Sequence, residues 1–568
     1  MNKFIETKIK FENKKTAYCV VNNNKIYIKP KFFNNALHDD LVLLKIKDNK
    51  YGFVQKVILR NESPSIGQVN INDKGCFIKP WSNIYYKDFF VNRTDLNGAQ
   101  DGDAIEFKFK SWYKNNLPDA TIKKVLYNSS SNHYLLHKLN IPKKFPDNVL
   151  SETLDLKLKY DYDKRIDLTN LKMFSLCNSK CIQKLYSIEE MSYGYRIGFH
   201  ISDVTHFIKV GSSIDQEAFK RGFDINLTEN LKVSILPSNI TEDLISFIPN
   251  VDRLAITVYI NFDRDFNYLT NSIFRSIVKS NKNLDNKSIN ICLESNNTDY
   301  NKELNILKKT SDSLIELHLP NMLKDDITEV ELLKSNLDKV LDITVTKFVE
   351  QQGYNWLYKS QLPIDESKVN ELKKEVDQLK IIWSDDLSLR DNIFKLYDTP
   401  LKKSIKKKLK GEYYSAIQNE HFELGTNHYG SISNPVSDYS DIINHRILIN
   451  IINEKRVIIG DLNKDSNILT KKRKNVKYCE SYANKLSNVN FIKSVKDVIS
   501  AEILYCTKKG IYVNTEYNIS GWVDMKDYKW NNNIRVFKTD KEYKIGDSII
   551  VNFDKIDWDN LDIFFKIK

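Results

Sequence analysis

The chain has 568 residues, 41% hydrophobic and 11% aromatic, which excludes global disorder and, at roughly 100–200 residues per domain, predicts about three to five domains. The 86 Lys and Arg against 74 Asp and Glu leave a formal charge of +12, which suits a polyanionic partner, and no apolar run is long enough for a membrane-spanning helix. Seven Cys at irregular spacing form no disulfide framework and the first residues lack a signal-peptide core, so a cytoplasmic or other reducing, non-secretory compartment is expected.

From the N-terminus, four segments alternate apolar and polar residues between Asn-rich turns: 17–21, 25–28, 41–46 and 52–57. That is the pattern of short strands in a small barrel. A turn then recurs. Asn35-Ala36-Leu37-His38-Asp39-Asp40-Leu41-Val42 is echoed by Gly98-Ala99-Gln100-Asp101-Gly102-Asp103-Ala104-Ile105 and, more loosely, by Ile545-Gly546-Asp547-Ser548-Ile549-Ile550-Val551. Each copy has an Asp-bearing turn feeding an apolar strand, and its Gly or Asx residues tolerate left-handed geometry. A repeat of about 60 residues with five or so strands suits an OB-type barrel, a platform for single-stranded nucleic acid.

The middle of the chain mixes a strand (Arg253 to Phe262) with helical patterns at Glu331 to Val349, Val369 to Leu379 and Asp441 to Ile452, and reads as an α+β block. The expected domains are barrels at 1–62 and 63–145, the α+β block at 146–488 and a third barrel at 489–568. Two basic clusters, Lys402-Lys403-Ser404-Ile405-Lys406-Lys407-Lys408 and Lys471-Lys472-Arg473-Lys474, are solvated faces or phosphate-tracking ones.

Common catalytic signatures are absent: no phosphate-cradling Gly-rich loop, no His-Glu-x-x-His, no Gly-x-Ser-x-Gly. Cys177 and Cys181 lack the second ligand pair of a zinc site. The informative strings are Arg165-Ile166-Asp167-Leu168, Gly198-Phe199-His200-Ile201-Ser202-Asp203-Val204, Leu236-Pro237-Ser238, Asp252-Arg253-Leu254-Ala255 and Asn434-Pro435-Val436-Ser437-Asp438-Tyr439-Ser440-Asp441, followed by His445-Arg446. In this order they resemble the RNase II / RNase R (RNB) family of 3′-to-5′ exoribonucleases over nearly the whole chain. The resemblance implies two cold-shock-like OB barrels, an α+β RNB domain, and a C-terminal S1-like barrel marked by Gly510-Ile511-Tyr512-Val513 and Gly521-Trp522-Val523.

In that family, single-stranded RNA threads a channel ending at two Mg2+ ions held by Asp residues. Here the matching segment departs. Cys177, Cys181, Gln183 and Lys184 stand at the four carboxylate positions, and no Asp or Glu occurs from Lys172 to Ser187. Cys is a poor magnesium ligand and Gln offers a neutral carbonyl. A unit charge pair at 4 Å is worth about 4 kcal/mol at an effective dielectric of 20, so Lys184 would repel a divalent ion by roughly 8 kcal/mol unless it swings away. Ser437 and Asp438 replace two family Arg residues, one of which contacts phosphate. The base-stacking Tyr of the family falls near Asn226, and a Glu-Glu pair falls at Asp338-Lys339. Asp161, Asp163 and Asp167 are carboxylates just upstream, and Asp203 matches a family position with a structural role.

The expected function is an RNA-binding pseudo-nuclease holding single-stranded RNA, alone or with protein partners in an RNA-processing assembly. No metal, cofactor or membrane contact is expected. Two alternatives stay open: an active, divergent exoribonuclease, and a protein-interaction scaffold without RNA binding. The residues expected to touch RNA are Tyr18, Tyr27, Tyr439, Arg446, Tyr512 and Trp522; Phe33, Trp81, Tyr85 and Tyr86 are further barrel aromatics that serve either RNA or the core.

Overall fold

The structure is a computed structural model. It describes all residues except 1–3, 49, 114–116, 158–160, 162–163, 295–298, 321, 324–326, 400, 455–459, 496, 508–509, 525–528, 532–533, 537–541 and 545. Asp163 and Ile545, noted above, lie outside that set. The chain forms two compact units: Met1–Pro142 with Leu227–Leu231 and Cys479–Lys568, and Lys143–Asn226 with Lys232–Tyr478.

The first unit holds three closed five-stranded barrels. The first barrel orders its strands Phe4–Asn13, Thr16–Val21, Asn24–Ile28, Tyr51–Leu59 and Leu41–Ile46 around a core that includes Ile9, Cys19, Ile28, Phe33 and Leu44. The second runs from Ser65 to Tyr127 and the third from Ile499 to Ile567. The recurring turn has one geometry in all three. The carboxylates of Asp40, Asp103 and Asp547 accept the backbone N–H three residues upstream, from Leu37, Gln100 and Lys544, at 2.7, 2.9 and 2.7 Å. The carbonyl of each Asp accepts from a strand opposite, at Ile9, Val69 and Ile503. The residue before each Asp is left-handed: Asp39 at φ 62°, Gly102 at 94° and Gly546 at 89°. Asp closes the turn through its own side chain, and Gly or Asx is the residue that adopts positive φ at low cost.

Within this unit the barrels lock together through aromatic rings. Tyr86 of the second barrel stacks on Phe11 of the first at 5.5 Å, and Arg60 lies over Phe109 and Trp112. Trp558 of the third barrel donates its indole N–H to Asp101 at 3.0 Å and covers Gly102, where a Cβ would come within 2.2 Å of the ring. The second repeat turn thus doubles as a docking point, which explains a Gly where the first copy has Asp39. The helix Leu462–Ser494 runs through position 488, and the first strand of the third barrel begins at Ile499.

The second unit is built on a seven-stranded sheet in the order Ile166–Asp167, Tyr268–Lys279, Asp252–Asp263, Gly194–Ser202, Lys184–Met191, Met173–Ser175, Lys282–Asn283. Its interior strand Asp252–Asp263 is buried at eight successive positions, the result of the near-continuous apolar run 254–260. Helices Ser213–Arg221, Glu329–Gln351 and Tyr439–Ile452 contribute to the same core. The long helix Glu329–Gln351 begins at a capping box, in which Thr328 and Glu331 each satisfy the other's backbone N–H. A separate small core around Leu372, Val376, Ile393 and Leu396 forms from helices between Glu366 and Lys408. Among the described residues, no helix is long and apolar enough to cross a membrane.

Candidate functional site

The four substituted positions lie where the strand Met173–Ser175 leaves the sheet and the chain returns as Lys184–Met191. Cys177 is exposed, and its thiol donates to Ser179 Oγ at 3.2 Å. Burial pushes the Cys181 thiol up to about 11, and sulfur is a poor ligand for magnesium in any case. Gln183 is committed at both ends. Its Nε2 donates to Asn434 Oδ1 at 3.1 Å, and its Oε1 accepts the Val436 N–H at 3.3 Å. Lys184 does not swing away; its Nζ donates to Asp338 Oδ1 at 2.5 Å, with side-chain exposures of only 20% and 26%. The helix Glu329–Gln351 therefore brings a carboxylate to this place, and a protein ammonium is its counter-ion.

Divalent magnesium takes hard oxygen ligands in near-octahedral array, and two ions need several carboxylates to offset their repulsion. An exposed thiol, a protonated thiol, an amide bound at both ends and an ammonium do not fit that requirement. Among the described residues, no three His, Cys, Asp or Glu side chains are grouped to hold a metal ion. The upstream carboxylates are occupied otherwise. Asp203 is fully buried between Arg165 at 2.6 Å and Arg275 at 3.1 Å; burial opposes its charge, but the two guanidiniums outweigh it and hold the carboxyl well below the usual range. Asp161 pairs with the same two Arg residues. Asp167 accepts from the backbone and hydroxyl of Thr169 in a surface turn.

The segment after Asn434 is equally altered. Ser437 donates its N–H to the Asn434 carbonyl, and its own carbonyl accepts from Asp224. Asp438 is 8% exposed and caps the helix Tyr439–Ile452: its Oδ1 accepts the Ser440 N–H at 2.9 Å, and its Oδ2 faces Tyr414 and Lys359 Nζ at 3.3 Å each. Two deeper carboxylates hold the 431–434 segment. Asp342 accepts the N–H groups of Ile432 and Ser433, and Asp441 accepts from Ser431 Oγ and Asn434 N. Burial first, then repulsion from Asp438, lifts Asp441 to about 7, with Lys359 opposing; burial and then Asp441 raise Asp342 well above the carboxylate range. Burial works to discharge Lys359, but Tyr414, Asp438 and Asp441 outweigh it and hold the ammonium protonated. Asp342 and Lys359 were not anticipated from sequence. The available signal was a lone Asp inside the run Val340-Leu341-Asp342-Ile343.

The expected RNA contacts divide. Tyr439 and Arg446 are turned inward. Tyr439 is 5% exposed and donates its hydroxyl to Asp215 at 2.6 Å, while Arg446 donates to the same carboxylate at 2.7 Å and lies over the Tyr439 ring. This triad ties two helices together. His445 is buried too, with Nε2 at 2.8 Å from the Ile432 carbonyl. Asn226 is exposed on the strand Ile225–Thr228. Of the barrel aromatics, Phe33 is core, Tyr85 packs on Phe89 and Phe107, and Trp81 abuts Tyr134. Tyr18 and Tyr27 are neighbours at 6.2 Å on the outer face of the first barrel. On the third barrel Tyr512 and Trp522, 4.9 Å apart, join Tyr505, stacked on Tyr512 at 4.8 Å. Tyr505 was missed because a bulge between Ile503 and Tyr505 breaks the strand alternation that would have marked it.

Compared with known families, residues 165–454 match the RNB domain, 493–568 the S1 RNA binding domain and 77–146 a cold shock domain. Ribonuclease R of Thermotoga maritima is 24% identical over 92% of this chain and 84% of its own length, and that of Mycoplasmopsis pulmonis 23% identical over 98% and 85%. Among solved structures, Mycoplasma genitalium RNase R in complex with ribose methylated single-stranded RNA superposes with a TM-score of 0.74 at 20% identity, covering 99% of this chain and all of that one. Yeast Ssd1, described as a pseudonuclease, gives a TM-score of 0.65 at 15% identity over 94% and 82%.

Proposed function

The chain belongs to the RNase II / RNase R family of RNB-domain proteins, and from that premise we propose that it is an RNA-binding pseudo-nuclease: a member that holds single-stranded RNA, alone or as a subunit of an RNA-processing assembly, without hydrolysing it. The observation behind this reading is the Lys184–Asp338 ion pair. At the position where the family places metal-binding carboxylates, this chain sets its own cation and closes it with its own anion. Gln183, fastened to the segment carrying the altered Ser437 and Asp438, removes a second ligand position. Two fold relatives support the two halves of the reading. One is a family enzyme solved with single-stranded RNA bound, and the other is described as a pseudonuclease.

RNA retention falls to the barrels. Tyr505, Tyr512 and Trp522 present a half-buried ring cluster, and base–aromatic stacking contributes about 1–3 kcal/mol per base without regard to sequence. Binding and degradation are to be measured on one sample, using an end-labelled single-stranded oligoribonucleotide with Mg2+ or Mn2+. The expected result is saturable, salt-sensitive binding with the oligonucleotide intact, and a loss of about tenfold or more in affinity for Trp522→Ala. Progressive shortening abolished by changing one Asp would establish an enzyme instead. Intact RNA with no salt-sensitive binding would leave the scaffold reading.

A further inference from the structure

Two cysteines, Cys177 and Cys181, stand four residues apart in the loop between the strands Met173–Ser175 and Lys184–Met191. The loss of metal ligands accounts for the missing carboxylates there and leaves the two thiols without a role. Of the seven cysteines, Cys19, Cys76, Cys292 and Cys479 are buried, and Cys506 is half-buried on the third barrel. Cys177 is exposed and Cys181 half-buried. Buried structural thiols are inert, and reactive ones need access. Among the seven, Cys177 and Cys181 are the pair in which an exposed thiol has a second thiol within one short loop.

The loop is already curled. The backbone bends at Ser179 and Lys180. The Cys177 thiol donates to Ser179 Oγ at 3.2 Å, and the same hydroxyl donates to the Cys181 carbonyl at 2.8 Å. One oxygen atom thus tethers the Cys177 sulfur to the Cys181 backbone, no farther from that carbonyl oxygen than the sum of the two bonds. The Cα atoms of a disulfide usually lie about 4.4–6.8 Å apart, a span that a five-residue loop bent in this way can meet. Both ends of the loop are anchored. The Cys177 N–H donates to Ser175 Oγ at 3.2 Å, and the Ser246 hydroxyl donates to the Lys180 carbonyl and accepts the Ile182 N–H, each at 3.0 Å. The flanking strands therefore stay in place if the two side chains turn toward each other, and the Cys177–Ser179 hydrogen bond is what closure gives up.

We propose that Cys177 and Cys181 are a redox-modification site, closed to an intraloop disulfide by exchange with a small disulfide of the glutathione type. Cys177, the exposed thiol, reacts first. Its thiolate attacks one sulfur of the small disulfide, whose S–S bond breaks and releases one small thiol, and a mixed disulfide is left on Cys177. The Cys181 sulfur then attacks the Cys177 sulfur, the mixed bond breaks, and the second small thiol leaves. The two cysteine protons and two electrons end on the two departing thiols, so the chain is oxidised and the small disulfide reduced. In a reducing compartment such bonds are chiefly transient and redox-sensing, and exposed or strained disulfides are the labile ones. Gln183 and Lys184, fastened to Asn434 and Asp338, follow the loop directly, so the modification falls beside the lost metal positions. The inference concerns thiol chemistry alone and stands whether or not the RNB domain hydrolyses RNA.

The test equilibrates the full native chain in buffers of reduced and oxidised glutathione, quenches with N-ethylmaleimide and maps the peptides by mass spectrometry. Trypsin cuts after Lys180, between the two cysteines, so the disulfide is read as a linked pair of peptides, 173–180 and 181–184. That pair is expected to form as the oxidised fraction rises and to separate again with dithiothreitol. Cys181→Ser is expected to stop one step earlier, with one glutathionyl group held on Cys177. The wild-type map decides the matter even if a variant folds poorly. Both thiols still alkylated at the most oxidising ratio, a mixed disulfide on wild-type Cys177 that Cys181 never displaces, or either cysteine linked to a different partner would each overturn the assignment. None of these results bears on hydrolysis.

Discussion

Replacing Lys359 with methionine is expected to destabilise the RNB domain by about 3 kcal/mol. Lys359 is the cation that Asp438 faces at 3.3 Å, and it opposes the charge of Asp342 and Asp441 as well. Removing one partner of a buried charge cluster typically costs about 3–5 kcal/mol, because the opposite charges stay buried without compensation. The lower end applies here, since the Lys359 side chain keeps 15% exposure and water screens part of the loss. The damage spreads through Asp438, which also caps the helix Tyr439–Ile452 and so couples the ion pair to helix stability. Urea unfolding of Lys359→Met, Asp438→Asn and the double variant measures the coupling. The double variant should recover part of the loss; strictly additive effects, or a cost below about 1 kcal/mol for Lys359→Met, would contradict the assignment.

The second large effect is on the pH dependence of stability, read as the difference between wild type and Asp441→Asn. Asp441 and Asp342 titrate as a neighbouring pair, with Asp441 near 7 in the folded protein against about 3.9 when unfolded. Between those values the folded state binds the extra proton, so the pair's contribution is full near pH 4 and is lost as pH rises through about 7. Buried neutral histidines slope the other way: His200, held down to about 3 by burial, and His318, at about 4, lose stability as pH falls below about 6.5. These contributions are common to both proteins and cancel in the difference. The asparagine amide can still accept from Ser431 and Asn434. Relative to the variant, wild type should therefore gain about 2–4 kcal/mol on going from pH 8 to pH 5, and parallel stability curves would contradict the coupling.

What was legible in the sequence was local or ordered along the chain. The Asp-closed turn was visible three times because its defining hydrogen bond spans three residues, from Asp40 to Leu37, Asp103 to Gln100 and Asp547 to Lys544. The strand Asp252–Asp263 was visible because burial on both faces demands an apolar run. The replacement of carboxylates at 177–184 was visible because absence of a residue type needs no tertiary structure to be seen.

What was not legible depended on contacts across long stretches of chain. Tyr439 and Arg446 hold the family positions, yet their destination is Asp215, more than 200 residues earlier. Lys184 read as a repulsive charge, and only the approach of the helix Glu329–Gln351 reveals Asp338 as its partner. Asp438 read as a lost phosphate contact and is a helix cap facing Lys359.

Whether residues 177–184 and Asp338 can gather divalent ions separates a pseudo-nuclease from an enzyme. Mn2+ is the informative probe, because its spin resonance separates free, singly bound and exchange-coupled ions in one titration. With the purified full chain and single-stranded RNA present, the spectrum is predicted to remain that of free and weakly surface-bound Mn2+, identical for wild type and Asp338→Asn. A saturable, exchange-coupled pair of ions that disappears in Asp338→Asn would contradict it.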